Sequence, residues 1–174
     1  VVERELLLVK KHATTIAKFF GGKKFNLIDL GCGGGLKTRE FIRSLPNDVR
    51  LRYCPVDISE YFINKCTRRI RALKSKKVAA IRPFFSDFKD FNEIVGILRN
   101  GEYERNIVLL LGETISHYDI NEFLFQLSRD MFKGCVIVIG NGYRVGRRFV
   151  HIEKYKDPLF DKWFIHIITN LGFK

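Results

Sequence analysis

The sequence predicts an α/β protein built on an open, doubly wound, mostly parallel sheet. Three observations carry that expectation. Apolar residues alternate between helical and strand spacing along all 174 residues. Five short apolar runs separate the helical stretches, and one of them, Asn106-Ile107-Val108-Leu109-Leu110-Leu111, is apolar on both faces, as a central parallel strand must be. A glycine cluster follows the first run, where strand gives way to helix, and such sheets bind ligands at that edge. Strands joined through helices imply right-handed crossovers.

The elements follow in order. Residues 3–20 place Leu6, Val9, Ala13, Ile16, Ala17 and Phe20 on one helical face, and Gly21-Gly22 ends that helix. Residues 25–30 (FNLIDL) form the first strand. A helix over 36–45 is broken by Pro46-Asn47-Asp48. Residues 49–56 are the second strand, and Ser59 caps a helix striped by Phe62, Cys66, Ile70 and Leu73. Residues 78–85 are the third strand, where Pro83 lacks the N–H a central ladder requires, so the strand belongs at a sheet edge. A helix over 88–100 carries Phe91, Ile94, Val95 and Leu98 inward and stops at Gly101. After the fourth strand (106–111), Asp119 and Glu122 make a capping box for a helix that runs to about residue 132 and is closed by Gly134. Residues 135–140 (CVIVIG) are the fifth strand, and Asp157-Pro158 opens a last helix, reaching about residue 171. No repeat, low-complexity tract or linker interrupts the chain, so residues 1–174 read as a single domain.

The balance of 46% hydrophobic and 29% charged residues excludes a disordered chain. No apolar run approaches the roughly 20 residues that span a bilayer, so no membrane partner is expected. Thirty-one Lys and Arg against 19 Asp and Glu leave a charge of +12, which suits an anionic partner such as RNA, DNA or a phosphorylated metabolite. Arg68, Arg69, Arg71, Lys74, Lys76 and Lys77 form the densest cluster, either a phosphate-binding patch or a solvated helix face. Cys32, Cys54, Cys66 and Cys135 lack zinc spacing, and Cys54 and Cys135 lie inside apolar runs as small hydrophobes. A reduced, cytoplasmic chain without a metal is the expectation.

The loop Asp29-Leu30-Gly31-Cys32-Gly33-Gly34-Gly35 fails two familiar patterns at one residue. Both the dinucleotide fingerprint and the phosphate-wrapping loop G-x-x-x-x-G-K-[ST] require glycine where Leu36 stands, although Lys37-Thr38 completes the second. The pattern that fits is D-x-G-x-G-x-G, through Asp29, Gly31, Gly33 and Gly35. Asp57, at the end of the second strand, can accept both hydroxyls of a ribose or assist the next helix N-terminus. Ser86-Asp87-Phe88 ends the third strand, where a carboxylate can take an adenine amino hydrogen beside an aromatic ring, or cap the following helix.

The glycine pattern resembles the first motif of the Rossmann-like, S-adenosylmethionine-dependent methyltransferases. The run from Gly31 to Arg39 (GCGGGLKTR), then Pro55-Val56-Asp57-Ile58-Ser59, then Leu111-Gly112-Glu113-Thr114-Ile115-Ser116-His117, is similar more narrowly to the histidine-specific methyltransferase family. The similarity extends over about residues 25–140. It implies S-adenosyl-L-methionine as cofactor, held by Gly31, Lys37, Asp57, Asp87 and Phe88. Lys37 would meet the methionine carboxylate of the cofactor, against the alternative of a solvated first-turn lysine. Ser116-His117 stand where the family has a Gly-Asn pair that contacts the amino-acid substrate, and Tyr155 corresponds to a substrate-binding tyrosine. The family fold adds antiparallel sixth and seventh strands that have no counterpart among the five strands recognised here.

Methyl transfer from a sulfonium is an in-line displacement that asks mainly for proximity and alignment. His117 is the candidate general base, and Glu113 the candidate group for orienting an acceptor amine or the cofactor. No [DNS]-P-P-[YFW] segment follows the fourth strand, so the likeness to amine-methylating nucleic-acid enzymes stops there. The expected activity is N- or O-methylation of a small polar or amino-acid-like acceptor. An RNA methyltransferase using the basic surface and a non-catalytic cofactor-binding module are the alternatives.

Overall fold

The computed structural model describes residues 2–99, 102–103, 105–112, 119–131, 135–140, 144–145 and 148–149. Its elements are α1 (Val2–Phe20), β1 (Lys24–Leu30), α2 (Leu36–Ser44), β2 (Arg50–Asp57), α3 (Glu60–Arg71), β3 (Val78–Ile81), β4 (Phe84–Phe85), α4 (Phe91–Leu98), β5 (Asn106–Leu111), α5 (Ile120–Asp130) and β6 (Val136–Gly140). The strands run in the order β3-β2-β1-β5-β6, with β4 also on β2. All of these pairings are parallel. The chain departs from β1 toward β2 and later returns to its other side as β5, so the switch point lies at the carboxyl end of β1.

The expected third strand is in fact two. Pro83 interrupts it, separating β3 from β4, and both pair with β2 at the sheet edge, where a missing N–H costs nothing. The helix expected over 88–100 opens with a 3-10 turn at Phe88–Asp90 before α4 begins. A short antiparallel hairpin, β7 (Arg144–Val145) with β8 (Arg148–Phe149), follows β6 in sequence and was not expected. The helix expected from Asp157 lies outside the described residues.

Strand alternation divides the interior into two cores. Leu27, Leu51, Tyr53, Ile107 and Leu109 face α1, α2 and α3, packing with Ala13, Phe20, Phe41, Ile42, Cys66 and Ile70. Ile28, Leu30, Cys54, Val56, Val108 and Leu110 face the other way, onto Phe91, Ile94, Val95 and Leu98 of α4 and Phe123 and Leu127 of α5. Each fully buried large apolar side chain contributes about 1.5–3 kcal/mol. Cys54 is a core residue, and burial pushes its thiol up to about 12, whereas Cys135 is only half-buried.

A polar ladder crosses the amino-terminal part of the strands. Asn26 and Asn106 are opposite each other in register, and Asn26 Nδ2 donates to Asn106 Oδ1 and to the Tyr103 carbonyl, both at 2.8 Å. Arg52, the partner of Asn26 on β2, donates from Nε to Asn26 Oδ1 at 2.7 Å.

Two members of the basic cluster are structural. Lys77 is 9% exposed, and its ammonium donates to the carbonyls of Ile42 (3.3 Å), Arg43 (2.9 Å) and Leu45, closing the C-terminus of α2. A cation there satisfies carbonyls that the helix cannot pair and complements the helix dipole. Arg69 donates to the Gly34 carbonyl. Arg68, Arg71, Lys74 and Lys76 remain exposed. Among the described residues no acidic, His and Cys groups converge as a metal site, and no helix is long and apolar enough to cross a membrane.

Candidate functional site

The 31–35 loop leaves β1 and is tied at once to the neighbouring strand, the amides of Gly31 and Cys32 donating to the Val56 carbonyl at 2.9 and 3.2 Å. Two of its glycines answer different demands. Gly35 has φ +69°, and a Cβ on it would stand 2.8 Å from Cys66 Cβ and 3.1 Å from Cys66 Cα, so the loop packs backbone to helix on α3. Gly33 has φ +46°, and its Cβ would meet nothing nearer than the Gly31 carbonyl at 4.0 Å. One glycine secures the loop from beneath; the other presents bare backbone to open space. Cys32 Sγ lies 3.2 Å from Cys66 Sγ, and that hydrogen bond together with burial keeps the Cys32 thiol protonated well above its ordinary range.

Asp29 is 3% exposed and sits beneath the loop rather than on it. Its Oδ2 accepts from Thr38 Oγ1 at 2.5 Å and from Tyr53 Oη at 2.7 Å, which binds β1 to both α2 and β2. Burial raises its pKa, and the two hydroxyl donors only partly offset that. Its side chain is thus spent inside the protein, whereas the sequence pattern placed it among cofactor contacts.

Asp57 ends β2 half-buried, facing the loop. Its Oδ2 accepts from the Gly33 amide at 3.2 Å and its Oδ1 from the Ser59 amide at 2.9 Å. Oδ1 keeps acceptor capacity for another donor, and Oδ2 takes besides the Gly33 amide only a long contact from Cys32 Sγ at 4.0 Å. Ser59, not Asp57, caps α3, accepting from the Phe62 amide. Asp87 accepts from the Lys89 amide at 3.2 Å and so caps the 3-10 turn. Phe88 is a core residue, 8% exposed, with its ring 6.1 Å from that of Phe123. The exposed apolar groups beside Asp57 are Ile58 (68%) and Phe85 (69%), the latter its register partner on β4. Phe88 follows β4 after two intervening residues and opens the 3-10 turn, where its ring enters the core.

Lys37 lies in the first turn of α2, and its ammonium is 2.7 Å from Glu5 Oε2. Glu5 Oε1 accepts from the Gly112 amide at the end of β5, at 2.6 Å. Sequence reasoning passed over Glu5. A signal was present: Glu5 precedes Val9 and Ala13 at four-residue steps, so an acid stands in line with the buried stripe of α1. Glu113, Ser116, His117 and Tyr155 lie outside the described residues.

The sequence profile of the family described as histidine-specific, S-adenosylmethionine-dependent methyltransferase matches residues 1–155. The match takes in α1 as well as the sheet, beyond the 25–140 span of the motifs. No curated protein matches the chain. Among solved structures, an S-adenosylmethionine-dependent methyltransferase from Geobacter sulfurreducens, in complex with S-adenosyl-L-homocysteine, is similar with a TM-score of 0.50 at 18% identity, over 79% of this chain and 51% of that one. The O-methyltransferase TomG from Streptomyces achromogenes, in complex with its methyl donor, is similar with a TM-score of 0.53 at 15% identity, over 92% of this chain and 67% of that one. The chain thus spans about half the length of the Geobacter protein. At such identities these likenesses establish the Rossmann-like methyltransferase fold, and the profile match, covering most of the chain, establishes the family. The chain belongs to the histidine-specific, S-adenosylmethionine-dependent methyltransferases.

Proposed function

We propose that this chain binds S-adenosylmethionine across the 31–35 loop and directs its methyl group to nitrogen or oxygen of a small polar or amino-acid-like acceptor. The observation that carries the reading is Asp57. Its carboxylate stands at the end of β2, beside the switch point, oriented by the Gly33 and Ser59 amides, with acceptor capacity left for a vicinal diol. The surrounding residues fit the cofactor. Gly33 lets a ligand approach backbone, Ile58 and Phe85 offer apolar surface to a base, and Lys37 offers a cation to a carboxylate. Gly31 turns the chain at the head of this loop, and Asp87 offers a carboxylate at the next strand end. Asp29 serves indirectly, by holding α2 and β2 under the loop.

When bound, the cofactor supplies an electrophilic methyl carbon on a sulfonium whose leaving group is a neutral thioether. The chain's own task is to bind, align and desolvate. We assign proton removal from the acceptor to His117, with Glu113 orienting the acceptor and Tyr155 contributing to its pocket. His117 in place of the family's amide changes the hydrogen-bond code at that position, since a neutral imidazole offers one donor and one acceptor on a rigid ring. Free histidine is therefore not the acceptor we favour. The RNA reading loses support where Lys77 and Arg69 turn out to bind the chain's own carbonyls. Free, closely spaced Cys32 and Cys66 suit a reducing compartment such as the cytoplasm.

The test is calorimetric titration with S-adenosylhomocysteine, followed by transfer of labelled methyl groups into a metabolite extract. Asp57→Ala should weaken binding by about 1–3 kcal/mol, the range for a charged hydrogen bond. Undiminished affinity in that variant would remove the ribose assignment. Tight binding without transfer to any acceptor would leave a cofactor-binding module instead of an enzyme.

A further inference from the structure

The Glu5–Lys37 pair occupies the space above the strand ends. A Cβ on Gly112, whose φ is +92°, would stand 2.5 Å from Lys37 Nζ, and one on Gly140 would stand 2.8 Å from Glu5 Oε1. The ends of β5 and β6 are thus cleared of side chains where the two charged groups meet. Both are largely withdrawn from solvent, Lys37 at 24% and Glu5 at 15% side-chain exposure. Glu5 is held from two directions, by the ammonium of α2 and by the Gly112 amide. An ion pair lodged at the ligand-binding edge of the sheet carries, side by side, the two charges that complement a zwitterion.

We propose that Glu5 is a specificity-determining residue of the cofactor site. It receives the α-ammonium of the ligand's amino-acid end while Lys37 receives the α-carboxylate, and the two pair with each other when no zwitterion is present. The proposal rests on the cofactor reading above. Its physical basis is exchange: one protein–protein ion pair is replaced by two protein–ligand pairs, so no charge is left buried without a partner. The Gly112 amide keeps Glu5 Oε1 in place, so Oε2 is the oxygen free to change partners. A ligand lacking either charge opens the pair without repairing it, and the site discriminates against it.

The experiment is a thermodynamic cycle between a residue and a ligand group. Binding of S-adenosylhomocysteine, its desamino analogue and 5′-methylthioadenosine is measured on the wild type and on Glu5→Gln, with thermal unfolding of both. Glu5→Gln should lose on the order of 10-fold in affinity for S-adenosylhomocysteine, with methylthioadenosine unchanged. Removal of the ligand's ammonium should cost the wild type a similar factor and cost Glu5→Gln almost nothing. Equal losses for all three ligands would make Glu5 a structural anchor and overturn the proposal. So would additive losses, or a wild type indifferent to the ammonium, a comparison that needs no variant. Failure of the wild type to bind any of the three would instead remove the cofactor reading, and this proposal with it.

Discussion

Alanine at Gly35 should destabilise the protein by about 2–5 kcal/mol, whereas alanine at Gly33 should cost about 1–2 kcal/mol. Both positions have positive φ, +69° and +46°, and forcing a Cβ into that region costs roughly 1–2 kcal/mol. Gly35 carries a second burden. Its new methyl would sit 2.8 Å from Cys66 Cβ and 3.1 Å from Cys66 Cα, atoms fixed to the α3 backbone that cannot rotate aside. Overpacking of that kind adds roughly 1–3 kcal/mol. Gly33 meets only open space, so its cost is conformational alone. Urea unfolding of the wild type and both variants measures the difference, and unchanged denaturant slopes would confirm that the unfolded states match. In a thermal melt the gap should amount to several degrees, at about 2–4 °C per kcal/mol for a chain of this size. Ligand affinity should run the opposite way, with Gly33→Ala weakening S-adenosylhomocysteine more than it weakens the fold. Equal stability of the two variants would refute the assignment of Gly35 to packing and Gly33 to ligand approach.

Two further predictions concern buried charges. Lys77→Met keeps the aliphatic stem and strands the carbonyls of Ile42, Arg43 and Leu45, so the urea midpoint should fall by the equivalent of about 2–3 kcal/mol; a neutral result would return Lys77 to the solvated cluster. Asp29 has a folded pKa above the ordinary 3.8, so the unfolded chain releases that proton first, and the stability its protonated form contributes fades as pH rises from about 4 through the raised value. Asp29→Asn removes that titration, so the melting temperature of the variant minus that of the wild type should climb from pH 4 to pH 8. A flat difference would contradict it.

The parts of this fold visible in the sequence were those decided by local chemistry. A short run apolar on both faces suits an interior parallel strand, and β5 is buried at every position. Pro83 told of an edge, and the edge is there. The place of Asp57 beside the glycine loop was legible because a strand end fixes it. The misses share one cause, namely contacts set by packing between distant segments. Lys77 read as one cation in a run of cations, because nothing local reveals that the end of α2 lies over it. Phe88 is buried and Phe85 exposed, a difference set by where β4 stops. Glu5 meets Lys37 across 32 positions of sequence, and only the docking of α1 beside α2 brings them together. Glu113, His117 and Tyr155, proposed for the acceptor pocket, are candidates from the sequence alone.

The Asn26–Asn106–Arg52 ladder has a bearing on the opposite end of the sheet. Because β5 beyond Asn106 is apolar throughout, hydrophobicity alone cannot tell one alignment of β1 against β5 from another; the pattern is blind to sliding. The ladder is not. A slip of two residues would set Asn26 against Val108 in place of Asn106, leaving buried amides without partners at about 1–3 kcal/mol apiece. It would also carry the far end of β5 along by about 7 Å, at roughly 3.3 Å per residue. Gly112 would then no longer reach Glu5. Three polar side chains at the amino edge thus act as the vernier for a site built at the carboxyl edge, and a substitution there would be felt as a misplaced ligand before it was felt as an unfolded chain.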